Sequence, residues 1–196
     1  MIVPAADAAP VPDGLDLLDA ATVPLNSLTA DQLLARLGPA RGRRLLVTGA
    51  AGGVGGYAVG LAALAGWAVT ALARPSDTDF LTRAGAVETI NSLEGAAGFD
   101  AVLDGARLND AALRNVRDHG IYAGVFPGLE PKSERGITIA SGVVVPDGHR
   151  LRDMLALTAQ RRLEARRAGT VPLENAGQAY QALRDGGQRG RWVLTP

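Results

Sequence analysis

Between Thr48 and Gly60 the chain offers residues chosen for what they lack. Glycines 49, 52 and 55 recur at every third position, and Ala50, Gly53 and Gly56 make a second, overlapping series. A short apolar run, Leu45-Leu46-Val47, comes just before them, and a small-residue segment of helical character follows. A strand that turns at once into a helix needs residues free of a Cβ penalty at the bend. A phosphate seated on that helix needs backbone N–H groups that no side chain covers. Diphosphate binding at this bend is the chemistry the spacing suits. Glycine-rich stretches also build loops and linkers, so the reading depends on what surrounds the bend.

Past the next apolar run, Ala68–Ala73, comes Arg74-Pro75-Ser76 in place of the acid that often selects a ribose diol. A guanidinium there offers charge-assisted, bidentate hydrogen bonds to a 2′-phosphate, and Ser76 adds a hydroxyl. That points to NADP(H) rather than NAD; the alternative is a solvated surface arginine. Other chemistry is sparse. His119 and His149 have no carboxylate or serine at an informative spacing, and no cluster suits a metal. Tyr57 and Tyr122 suit either proton donation or core packing. The Arg161–Arg167 cluster reads as a solvated face.

Composition narrows the class. The 196 residues are 47% hydrophobic with a formal net charge of zero, and Lys132 is the sole lysine. A balanced charge argues against a nucleic-acid surface. No cysteine is present, which excludes disulfides, thiolate nucleophiles and cysteine-ligated zinc. No apolar run approaches the ~18 residues of a membrane span, and Met1–Asp7 carries no signal pattern, so a cytoplasmic protein is expected.

The elements alternate. Strands are predicted at 45–47, 68–73, 88–91, 100–104 and 120–125, with helices at 78–84 and 109–118 between them and a longer β-run over 137–145. Ile2–Pro12 begins as a strand candidate, Asp16–Val23 and Leu28–Leu37 (Thr29 as N-cap) read as helices, and so does Arg150–Arg161. Short buried strands alternating with helices predict an α/β fold, a Rossmann-type doubly wound parallel sheet. The expected organisation is a leading segment over 1–24, a Rossmann domain over 25–161 and a strand–helix–strand tail over 162–196.

These residues carry a resemblance. Val11-Pro-Asp-Gly-Leu15, Ala20-Ala21, Pro24–Ala30, Leu46–Gly55, Phe80–Ala86, Phe99–Asp104, Pro146-Asp-Gly148, Val171–Glu174, Ala179 and Gly190–Thr195 follow one another as in the medium-chain dehydrogenase/reductase superfamily. The chain resembles the cofactor-binding half of its zinc-independent, quinone oxidoreductase-like branch. The resemblance implies that Thr48, Ala50, Gly52, Gly53, Val54 and Gly55 line the diphosphate, that Asp104, Gly105 and Ala106 lie beside the nicotinamide-side ribose, and that Val125, Phe126, Val143, Val144 and Val145 flank the nicotinamide. The valines equally suit plain β-core. Asn26 and Thr29 fall where the family's linker approaches the nicotinamide, although Asn26 suits helix capping equally well. Arg189 and Arg191 resemble a basic pair near the family's C-terminus, with a surface role expected.

Members of the superfamily carry a GroES-like β-barrel ahead of this half, and Met1–Asp7 resembles only its last strand. Catalytic residues of that barrel have no matching positions here, so none is assigned. The tail strands at 163–168 and 191–195 are expected to pair with each other and with Ile2–Pro4, or across a dimer. The 137–145 run resembles the edge strand through which relatives form homodimers. Two functions follow: an NADPH-dependent oxidoreductase acting on a small-molecule quinone, enone or related carbonyl compound, or a non-redox NADP(H)-binding module. The module would be a sensor, a reused scaffold for a lyase or isomerase step, or part of an enzyme completed by a separate catalytic subunit.

Overall fold

The computed structural model describes residues 2–196; Met1, which begins the expected terminal strand, lies outside them. After a 3-10 turn at Ala5–Asp7 come helices α1 (Leu17–Ala20) and α2 (Val23–Arg36). The sheet domain then runs β1 (Arg44–Thr48), α3 (Gly53–Leu64), β2 (Ala68–Leu72), α4 (Thr78–Ala84), β3 (Glu88–Ile90), β4 (Phe99–Asp104), α5 (Asp110–Leu113), β5 (Val116–Gly124) and β6 (Thr138–Ile139). Helix α6 (Gly148–Ala159) leads to a tail of β7 (Arg167–Pro172), α7 (Ala176–Asp185) and β8 (Arg191–Thr195).

Six strands form one sheet in the order β3-β2-β1-β4-β5-β6, with every neighbouring pair parallel. This is the doubly wound Rossmann order expected from the alternation. Along β1 the apolar run divides between two cores. Leu45 and Val47 join α2, α3 and α6 on one face, while Leu46 joins Phe99, Leu113, Val116 and Tyr122 on the other. All three β1 residues are fully buried, each worth about 1.5–3 kcal/mol. The register aligns Thr48 with Leu72 and Asp104, and Asp104 with Gly124. The strands therefore end level, and Gly49, Ala73, Gly105 and Val125 stand in a row along one edge. Strand order reverses between β1 and β4, where an open α/β sheet presents its crevice.

Several expectations are corrected. The 137–145 β-run reduces to two residues, because side chains take the backbone groups that a ladder would use. Ser141 Oγ accepts from the Gly124 amide (2.6 Å), and the Gln32 side chain bonds both the amide and the carbonyl of Val145. The 109–118 helix stops at Leu113. Arg117 reaches Asp100 (2.8 Å) and Arg135 reaches the Val116 carbonyl (2.8 Å), drawing that stretch into β5 through a bulge. Helix α2 starts well before Thr29, with Pro24 in its first turn, a position where the missing N–H costs nothing. Thr29 instead donates to the Leu25 carbonyl within the helix. Strand β7 begins at Arg167 and not at 163, because Leu163 is taken into the core and Arg166 onto the Phe80 ring; it pairs parallel with β8, as expected for the tail strands, but Ile2–Pro4 does not join them. Ile2 is fully exposed.

Candidate cofactor cleft at the carboxyl edge of the sheet

The bend after β1 is held by backbone contacts that leave no room for side chains. Gly49 has φ +58°, and a Cβ there would lie 3.0 Å from the Gly105 carbonyl carbon. At Gly55 a Cβ would lie 2.2 Å from the Gly49 oxygen. The amide of Gly52 donates to that same oxygen (2.8 Å), closing the turn. Helix α3 then begins at Gly53 with no side-chain cap among the described residues. Its first-turn amides face outward as an anion-ready N-terminus.

Two clefts meet at this bend. The first, about 510 Å³, is lined by Gly49, Gly52, Arg74, Asp77, Ala106 and Arg189 among others. The second, about 450 Å³, is lined by Asn26, Gly53, Val54, Val125, Phe126 and, from the tail, Tyr180, Leu183, Arg191 and Trp192 among others. Gly49, Gly52 and Gly105 border both. One elongated ligand lying across the bend would occupy the two together.

The site residues named from sequence sort into three groups. Gly52, Gly53, Val54, Gly55, Arg74, Gly105, Ala106, Val125 and Phe126 line one or both clefts. Thr48, Ala50 and Asp104 are buried behind the bend. The Asp104 carboxylate accepts from Thr48 Oγ1, Tyr122 Oη (2.8 Å) and the amides of Asn109 (2.8 Å) and Ala106 (3.2 Å). That places Asp104 as a clamp setting the loop of Gly105 and Ala106, with its oxygens turned inward. Ser76 is exposed in the 3-10 turn beside the first cleft without lining it. Val143, Val144 and Val145 are not brought to either cleft. Val143 and Val145 face solvent, and Val144 packs on the larger core.

Both sheet-domain tyrosines serve the core. Burial, reinforced by the neighbouring Asp104 carboxylate, pushes the Tyr122 phenol far above its usual value. Burial pushes Tyr57 up to about 12. Neither lines either of the two clefts, and His119 and His149 are exposed.

The tail supplies what sequence reasoning missed. Arg189 pairs bidentately with Asp77 (Nε–Oδ1 3.0 Å, Nη2–Oδ2 2.8 Å). That guanidinium holds the Asp77 carboxyl below its ordinary value, with Arg166 and Arg74 adding to the effect. Arg191 donates to Asn26 Oδ1 (3.0 Å), so Asn26 sits buried inside α2 at the cleft rather than capping it. Arg166, expected on a solvated face, is instead drawn inward. It lies over the Phe80 ring (3.9 Å) and donates to the Ala51 carbonyl (2.9 Å), and burial lowers its pKa. The signal available in the sequence was the density of arginine in 161–167 and 189–191 near a site with anion-binding character.

A family model described as zinc-binding dehydrogenase matches residues 77–194, more than half of the chain. The chain belongs to that family. It is 28% identical to the chloroplast envelope quinone oxidoreductase homolog of Arabidopsis thaliana, over 94% of this chain and 64% of that protein. It is 27% identical to a solved NAD-dependent alcohol dehydrogenase, with a TM-score of 0.83 over 99% of this chain and 63% of that one. The quinone oxidoreductase of Coxiella burnetii, 23% identical, shares the fold with a TM-score of 0.85 over 95% and 63% of the two chains. The chain thus spans less than two thirds of these relatives and corresponds to the cofactor-binding half of the medium-chain dehydrogenase/reductase architecture. Its own donor set does not fit zinc. Cysteine is lacking, and among the described residues no three histidine, aspartate or glutamate side chains gather where a metal could bind. No helix among them is long and apolar enough to cross a membrane.

Proposed function

We propose that this chain binds NADP(H) across the carboxyl edge of its sheet and serves as an NADPH-dependent oxidoreductase acting on a quinone, enone or related carbonyl compound. The observation that carries the reading is the uncapped, side-chain-free bend joining two clefts, with Arg74 in one and Val125 and Phe126 in the other. The first-turn amides of α3 receive the diphosphate, and Arg191 stands across the cleft as a further counter-charge. The first cleft takes the adenosine half, where Arg74 meets the 2′-phosphate. Asp77, the nearby acid, would suit a ribose diol of NAD, but both its oxygens are engaged by Arg189. That favours the phosphorylated cofactor.

The second cleft takes the nicotinamide, which supplies the hydride when bound. Val125 and Phe126 give it an apolar wall, and Asn26 offers an amide whose orientation Arg191 fixes. The Asp104 clamp keeps Gly105 and Ala106 close against the bend, so the nicotinamide-side ribose meets backbone rather than a carboxylate. Calorimetric titration with NADPH and NADH, followed by turnover with a panel of quinones and enones, tests the reading. Tighter NADPH binding with turnover is expected, and heat from neither cofactor would overturn it.

A second reading has one observation in its favour. The side chains lining the nicotinamide cleft include no carboxylate and no imidazole. An NADP(H)-binding module completed by a separate catalytic subunit would need none. NADPH binding without turnover by this chain alone would select that reading.

A further inference from the structure

The face of the sheet covered by α2, α3 and α6 carries a groove of its own between those helices. It measures about 920 Å³ and shares no lining residue with either cofactor cleft. Its floor is apolar: Leu34 from α2, Leu61 and Leu64 from α3, Met154 and Leu157 from α6, and Trp67 just before β2. Leu64 stands 44% exposed at its edge. The rim is charged, and most of its charges are paired with one another. Arg150 holds both oxygens of Asp31 (Nε–Oδ2 3.0 Å) and reaches Asp153 (3.3 Å), so each carboxylate bordering the groove has its cation. Arg43 is also fixed. It lies over the Trp67 ring (4.8 Å) and donates to the carbonyls of Leu37 and Pro39 (3.2 Å each), offsetting the partial negative charge at the end of α2. Arg41 and Arg162 border the groove as well, and neither makes an ion pair among the described residues.

An apolar floor with an unbalanced positive rim is complementary to a molecule that is apolar along its length and anionic at one end. We propose that this groove binds a free medium- or long-chain carboxylate. Its hydrocarbon lies over Leu61, Leu64, Trp67 and Leu157, and its head group is drawn to the unpaired guanidiniums of Arg41 and Arg162. Burial of methylenes supplies most of the affinity, and the charge decides which amphiphile is preferred. A neutral lipid would match the floor but leave both guanidiniums unanswered. A cationic one would meet carboxylates that Arg150 already holds. The site is independent of the cofactor reading, since no residue lines both.

Decanoate is the probe, and Trp67, one of the two tryptophans, is the reporter on the groove floor. With Trp192→Phe in place, so that emission comes from Trp67 alone, decanoate is expected to change that emission with saturation. Calorimetric titration of the unsubstituted protein reads the same binding without any tryptophan change. Affinity should rise about two- to fourfold per methylene from octanoate to dodecanoate. The uncharged 1-decanol should bind about three- to tenfold more weakly than decanoate, and Arg41→Glu with Arg162→Glu should abolish that preference. Leu64→Asp, a change at an exposed position, is expected to weaken decanoate about tenfold or more by setting a like charge in an apolar floor. Equal binding of decanoate and decanol, an affinity unchanged by Leu64→Asp, or no saturable signal by either method would overturn the proposal. So would light scattering in which Leu64→Asp turns a dimer into a monomer, since the groove would then be covered by a second copy.

Discussion

At the level of single residues, the cleft depends on two kinds of constraint: space and charge. Gly55→Ala would drive a methyl to within 2.2 Å of the Gly49 oxygen. It is expected to cost about 1–3 kcal/mol in urea denaturation and to remove measurable cofactor binding. Arg74→Ala is expected to leave NADH affinity nearly unchanged and to lower the NADPH preference about ten- to a hundredfold by calorimetry, the loss of a charge-assisted hydrogen bond or two. Tyr122→Phe strips the buried Asp104 carboxylate of one donor and is expected to cost about 1.5–3 kcal/mol. The tyrosines also set the alkaline limit. Tyr57 is raised from 10.0 to about 12, so above pH 10 the unfolded chain ionises first and the native state binds the extra proton. Stability is expected to hold through neutrality and to fall between about pH 10 and 12, with Tyr57→Phe flattening that decline in thermal melts.

At the level of elements, what could be read in advance was what is local. The β1 run, the glycine spacing and α4 depend on residues next to one another, and they stand where the sequence pattern placed them. The shortened β6 and α5 depend on distant partners: Gln32 reaching Val145, and Arg135 reaching Val116. No window of neighbouring residues contains those contacts. The tail is the clearest case. Its arginines looked like surface charge because their partners, Asp77, Asn26 and Ala51, lie more than a hundred residues away. The Arg189–Asp77 pair fastens β8 to the turn after β2. Arg189→Ala is expected to speed hydrogen exchange of the β8 amides while leaving β1 and β4 protected. The pair is half-buried, so its loss should cost about 1 kcal/mol.

At the level of the whole molecule, the tail connects the two clefts. Arg189 borders one, and Gly190, Arg191 and Trp192 border the other, so four successive residues run alongside the full length of the expected cofactor. A cofactor seated as proposed would therefore contact the tail at both of its ends. The opposite end of the sheet is less finished. Edge strand β6 is two residues long, and Val143 and Val145 beyond it are 69% and 58% exposed. With so little ladder left there, the exposed valines are what a second copy would cover, and we propose a homodimer through this surface. Light scattering at micromolar concentration should give twice the 20.2 kDa chain mass, and a monomer mass would reject the edge as an interface.

Everything functional here requires that the bend after Thr48 hold a diphosphate. A crystal structure of the chain grown with saturating NADP+ is the most direct test. Density for the diphosphate within hydrogen-bonding distance of the Gly53, Val54 and Gly55 amides, with Arg74 on the 2′-phosphate, is the expected result. A bend that remains without ligand under those conditions, or a cofactor bound elsewhere on the molecule, would contradict it.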